Sequence, residues 1–155
     1  MRPLALIALL TVPLLVACDS GEDDGFSLVG TTTSVAEIAG TWTATRATFS
    51  SAAEGPALEV DIIAEGGSAK LAIQTDGRFT LTLAPLGEAD DVSNGRLGFD
   101  EELLVVSFDE DPDEFEFFTI QVTETTLSLE GPAEFDFDGD GVEESARVAL
   151  DLIRS

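Results

Sequence analysis

The stretch Asp136-Phe137-Asp138-Gly139-Asp140-Gly141-Val142-Glu143-Glu144 sets carboxylates at its first, third, fifth and ninth positions, with glycine at the sixth. The candidate metal ligands are Asp136, Asp138, Asp140, the main-chain carbonyl of Val142 at position seven, and Glu144. Calcium takes six to eight oxygens from a tight loop, and this spacing directs such oxygens toward one point. The expected ion is a structural calcium, since a fully ligated ion leaves no open position for chemistry. A bound cation would also offset the mutual repulsion of five acids in one turn. The alternative is a solvated acidic turn, in a chain with Asp+Glu 31 against Lys+Arg 7.

Position twelve of that loop is Arg147, where a helical EF-hand needs a bidentate glutamate. The flanks AEFDF and SARVALDL alternate as strands do, so the loop resembles the Asp-rich calcium hairpins between strands of other extracellular proteins.

Cys18 is the one cysteine of the chain, so no intramolecular disulfide can form. It ends the opening MRPLALIALLTVPLLVAC: a positive charge at Arg2, an apolar run from Leu4 to Val16, and the small residue Ala17. That is the layout of a secretory signal peptide. The run is about 13 residues against the roughly 20 of a spanning helix, and it contains Pro13. Leu15-Val16-Ala17-Cys18 resembles the lipobox of bacterial lipoproteins. The resemblance implies removal of residues 1–17 and a diacylglycerol plus a further acyl chain, such as palmitate, on Cys18. It also implies export to the bacterial cell envelope and anchoring to a membrane, outer or cytoplasmic.

Other chemistries have few residues to work with. The chain contains no histidine and no tyrosine, which removes the usual general bases and transition-metal ligands. No serine-centred nucleophile motif or phosphate-cradling loop is present. The expectation is a protein that is not an enzyme; a carboxylate pair working as in glycosidases is the residual catalytic alternative. A net charge of −24 repels phosphate backbones, so no nucleic-acid partner is expected. With 44% hydrophobic residues and ten phenylalanines, the acid must cover a folded core rather than a disordered tail. Lys70 is the only lysine, a composition that suggests a halophilic source, where salt screens self-repulsion.

These residues need a scaffold, and the pattern supplies one. Residues 18–35 are rich in Gly, Ser, Thr and acid and read as a flexible tether. Ser34 and Glu37 form a capping box for a short helix beginning at Val35. From Gly40 onward the period is two, with turn signals such as Glu65-Gly66-Gly67, Asp76-Gly77 and Ser93-Asn94-Gly95. The expected strands are 41–49, 57–64, 69–75, 78–84, 95–99, 102–108, 115–122, 126–130, 133–138 and 145–153. The fold class is all-β: an antiparallel up-and-down barrel of about 8–10 strands, which leaves no sticky edge, with a β-sandwich as the alternative.

Gly40-x-Trp42 at the head of the first strand, together with AIQTDGRFTLTL, resembles the lipocalin-like domains of bacterial lipoproteins over residues 36–155. The resemblance implies that Trp42 plugs the closed end and that an arginine of the last strand lies across it. Period two puts Ala146, Val148, Leu150, Leu152 and Arg154 on one face. With an even strand number, Arg154 ends beside Trp42, where it can stack on the indole. The candidate ligand-binding residues are the expected inward side chains Phe79, Leu81, Leu83, Phe115, Phe117, Phe135 and Phe137, with plain core as the alternative reading. The resemblance implies a small apolar ligand such as a lipid. The functional expectation is a membrane-anchored envelope lipoprotein that binds or carries such a molecule. Its alternative is a non-catalytic scaffold or partner-binding module with a side-chain-filled barrel. Sequence leaves the oligomeric state open.

Overall fold

The computed structural model describes residues 26–52 and 57–155. The expected signal peptide, Cys18 and the first part of the expected tether lie outside the described residues.

Among the described residues, one four-residue helix, α1 (Val35–Ile38), precedes nine strands: β1 (Gly40–Ser51), β2 (Glu59–Asp61), β3 (Ser68–Ile73), β4 (Arg78–Ala84), β5 (Asp91–Asp100), β6 (Leu103–Phe108), β7 (Glu116–Val122), β8 (Thr126–Phe135) and β9 (Glu144–Arg154). Sheet order runs β2-β1-β3-β4-β5-β6-β7-β8-β9, and a further β1–β9 pairing closes the circle. The result is an eight-stranded antiparallel barrel, with β2 added beside the far half of β1. Closure removes the sandwich alternative and the edges it would expose.

The two ends differ. One carries α1 and the short connections 74–77, 101–102 and 123–125; the other carries the connections 85–90, 109–115 and 136–143. Val35 and Ile38 are fully buried, so α1 fills the first end, and the barrel is open at the second.

Four strand expectations change. Expected strand 57–64 shortens to β2 because Asp61 Oδ1 accepts the amides of Ile63 (3.0 Å), Ala47 (3.2 Å) and Ala64 (3.3 Å), turning the chain. Expected strand 95–99 begins earlier, at Asp91. Expected strands 126–130 and 133–138 are one, β8, running through Gly131-Pro132. Pro132 lacks an N–H, but the β7 pairing ends at Glu130, so beyond that point β8 pairs with β9 alone. Gly131 serves a close approach: a Cβ there would sit 2.3 Å from the Phe118 ring.

The part of the expected tether that is described, 26–35, is seated on the barrel. Ser27 exchanges both backbone hydrogen bonds with Phe99 (3.1 and 2.7 Å), and Thr31 N–H donates to the Glu101 carbonyl (2.9 Å). Phe26 lies over Gly98, where a Cβ would meet its ring at 2.4 Å. Among the described residues, packing against the barrel thus includes 26–35 as well as the stretch from Ala36 onward. Phe26, Leu28, Val29 and Val35 supply apolar side chains amid the polar residues whose abundance suggested a tether.

In β1 a bulge shifts register between Ala44 and Arg46. It turns Ala47 and Phe49 inward after Trp42 and Ala44, while Arg46 faces out and pairs with Asp151 at 2.7 Å.

Candidate functional site

The closed end is built around Trp42, which is fully buried and donates from Nε1 to the Ile38 carbonyl at 2.8 Å. Trp42 and Arg154 are paired residues of β1 and β9, and the guanidinium sits 4.2 Å from the ring centroid. Arg154 also donates to three main-chain carbonyls, of Glu37 (2.8 Å), Ala39 (2.8 Å) and Glu124 (3.1 Å). It thus ties α1, the start of β1 and the β7–β8 turn to one planar fork. Upstream, the Glu37 carboxylate accepts the Ser34 N–H at 2.8 Å and the hydroxyls of Ser34 and Thr33 at 3.0 and 3.2 Å. The Ser34 hydroxyl, then its N–H, then Thr33 hold the Glu37 pKa below its ordinary value.

Above the plug the lumen is a cavity of about 530 Å³. Its floor and walls are apolar, from Leu71, Phe79, Leu81 and Leu83 on β3 and β4, Leu104 and Val106 on β6, and Phe118, Leu129 and Leu150 on β7 to β9. Its upper part is lined by acids. Asp91 enters from β5, Glu116 from β7 and Glu134 from β8. Glu110, Asp111, Glu114 and Glu143 come from the connecting segments. Burial, reinforced by the neighbouring charges of Glu114 and then Glu134, pushes the Glu116 pKa up.

Of the expected ligand-binding residues, Phe79, Leu81 and Leu83 line this cavity. Phe115 and Phe117 do not: they are 42% and 47% exposed on the outer wall. The β7 inward set is Glu116, Phe118, Ile120 and Val122. Three phenylalanines at 115, 117 and 118 satisfy either parity, and the apolar positions Ile120 and Val122 were the signal for the even one. Phe135 and Phe137 form an aromatic stack instead, Phe135 on Phe49 (centroids 4.6 Å, 24°) and Phe137 edge-on to Phe135 (5.0 Å, 65°). Sequence reasoning missed the inward carboxylates altogether.

The aspartate loop joins β8 to β9, directly after that stack. One carboxylate oxygen from each of Asp136, Asp138, Asp140 and Glu144 lies within 4.8 Å of the others. Asp136 accepts the amides of Gly139 and Gly141, each at 2.7 Å, and Asp140 accepts that of Val142 at 2.8 Å. The Gly141 amide, ahead of those of Gly139, Asp140 and Asp138, lowers the Asp136 pKa. An all-oxygen, multiply charged set of this kind fits a hard divalent cation.

No protein-family model matches the chain, and no curated protein does. Among solved structures, it is similar to a lipocalin-like protein from Bacteroides uniformis, at 12% identity and a TM-score of 0.44, over 77% of this chain and 99% of that one. It is also similar to an uncharacterized protein from Bacteroides eggerthii, at 9% identity and a TM-score of 0.43, over 76% of this chain and 98% of that one.

Proposed function

We propose that this protein is a non-catalytic binder or carrier of a small apolar molecule, held at the bacterial envelope by lipid on Cys18. The observation that carries the reading is the lumen: about 530 Å³, plugged below by Trp42 and α1, walled by leucine, valine and phenylalanine. That volume falls in the range of small-molecule sites, and burying an apolar chain there is favourable at about 25 cal/mol per Å² of apolar surface. It also weighs against a barrel filled by its own side chains.

Binding rather than catalysis is supported by the complete lack of histidine and tyrosine. The lipobox-like Leu15-Val16-Ala17-Cys18 supports anchoring, where two or more acyl chains hold a protein stably. The 1-3-5-9 carboxylate spacing and its 4.8 Å convergence support calcium at Asp136, Asp138, Asp140 and Glu144, where it would fix the β8–β9 hairpin beside the mouth.

Native mass spectrometry of protein extracted from its own membrane tests the reading. The expected result is a non-covalent apolar adduct on top of the covalent acyl mass. The adduct should vanish in Leu81→Trp, which fills the lumen, while Cys18→Ser loses the acyl mass and leaves the membrane. Protein free of adduct that also takes up no apolar probe refutes it.

A further inference from the structure

Resting on the reading of the lumen as a ligand cavity, we propose that its ligand is an amphiphile with a cationic head, an alkyl or aryl chain carrying an ammonium or amidinium group. The tail would lie along Leu81, Val106, Phe118 and Leu129, and the head would sit among Glu114, Glu116 and Glu134.

Acid is common in a chain of net charge −24, so position, not abundance, carries the argument. The described basic residues are Arg46, Lys70, Arg78, Arg96, Arg147 and Arg154, and none of them lines the cavity. Lys70, Arg78, Arg96 and Arg147 each adjoin an inward residue on their strand, namely Leu71, Phe79, Leu97 and Ala146, so they point outward. Arg46 is paired with Asp151 on the outer wall, and Arg154 is committed to Trp42 at the plug. The outer wall therefore mixes both signs, while the cavity lining, among the described residues, is acidic only.

Inward strand positions are where apolar residues belong, yet Asp91 and Glu116 occupy two of them, and Glu134, paired with Ser145 on the other face of β8, adds a third strand carboxylate to the lining. Glu116 is half-buried beside the like charges of Glu114 and Glu134 with no described cation facing it, so its ionised form is held at a cost that a cationic group would offset. A cleft lined by one sign of charge with apolar walls concentrates ions of the opposite sign. The cavity then continues downward as hydrocarbon surface, which a hydrated metal ion does not use and an alkyl chain does. Phe49 and Phe108 add aromatic faces to the same lining, and these also favour a cationic head. An anionic lipid such as a fatty acid would place its carboxylate against this acid.

Titration calorimetry of the full-length protein in detergent below its micellar concentration, with decylamine, decanol and decanoate, reads the head group directly. The expected order is amine tightest by about tenfold over the alcohol, with decanoate weakest. Glu116→Gln and Glu134→Gln, made singly, should each weaken the amine several-fold and leave decanol unchanged. Equal affinity for amine and alcohol, or a preference for decanoate, overturns the cationic head while leaving the apolar lumen standing. Magnesium alone displacing the amine at matched concentration would make the carboxylates a metal site and also overturns it. Failure of all three probes refutes the lumen reading itself.

Discussion

Removing the Arg154 fork tests the architecture of the closed end. Arg154→Leu deletes three hydrogen bonds to main-chain carbonyls at 2.8, 2.8 and 3.1 Å and a stack 4.2 Å from the Trp42 centroid. A hydrogen bond contributes about 1 kcal/mol net, and an exposed cation–π contact about 0.5–1 kcal/mol. Arg154 is exposed, so water replaces part of what is lost, and the expected cost is about 2 kcal/mol rather than the full sum of about 4. For a domain of this size that lowers Tm by roughly 8 °C. Trp42 is the only tryptophan, so its fluorescence reports this end of the barrel during urea or thermal unfolding. Arg154→Lys keeps the charge but not the planar fork and should recover less than half of the loss. The acceptors are neutral carbonyls, so the difference should persist in molar salt. The exposed Arg46–Asp151 pair should contribute at most about 1 kcal/mol and fade as salt rises. A change below about 0.5 kcal/mol in Arg154→Leu, or full rescue by lysine, would refute the claim that this fork ties α1 and the β7–β8 turn to the plug.

Glu116 has a raised pKa in the folded state, so its contribution is fully present below the ordinary glutamate value and is lost as pH rises through the folded value. Glu116→Gln should therefore raise Tm at neutral pH and have no effect near pH 3.5, as measured by thermal unfolding of both proteins across that range; a lower Tm at pH 7 would contradict it. Gly131→Ala drives a methyl group to 2.3 Å from the Phe118 ring and should cost about 1–3 kcal/mol in urea unfolding, with the ring displaced into the lumen and decanol bound more weakly. Unchanged stability would mean the ring has room elsewhere. Calcium at a hundredfold excess over its Kd should stabilise the wild-type protein by about 2.7 kcal/mol and Asp136→Asn far less. Calorimetry that records no heat at millimolar calcium removes the ion from the account.

The barrel was legible because most inward positions are apolar at period two, and because Asp76-Gly77 and the Asp-Gly pairs at 138–141 mark hairpins. The expected turn at Ser93-Asn94-Gly95 is instead the interior of β5, where Gly95 lets the Phe79 ring approach closely. The capping residues Ser34 and Glu37 place α1 correctly, and the parity of the last strand is enough to bring Arg154 to Trp42. Legibility fails at the mouth. There β5 starts with Asp91 and Ser93 facing inward, so its first residues read as loop. On β7, Glu116 takes an inward position, and the run Phe115-Glu116-Phe117-Phe118 invites the wrong parity. The rule that apolar residues face in breaks where the lumen meets solvent, which is also the end by which the proposed ligand would enter. The strap of residues 26–35 was hidden for another reason: it is held by main-chain bonds to Phe99 and Glu101 and by the small neighbour Gly98, none of which has a periodic signature.

Methyl-resolved NMR during titration with an apolar probe tests the central claim most directly. The expected result is saturable shifts at Leu81, Leu104, Val106, Leu129 and Leu150, which line the cavity, with the outer-wall methyls of Leu103 and Val92 unmoved. Shifts confined to the outer wall, or no saturable shift at any of the five lumen residues, would contradict a ligand-binding barrel.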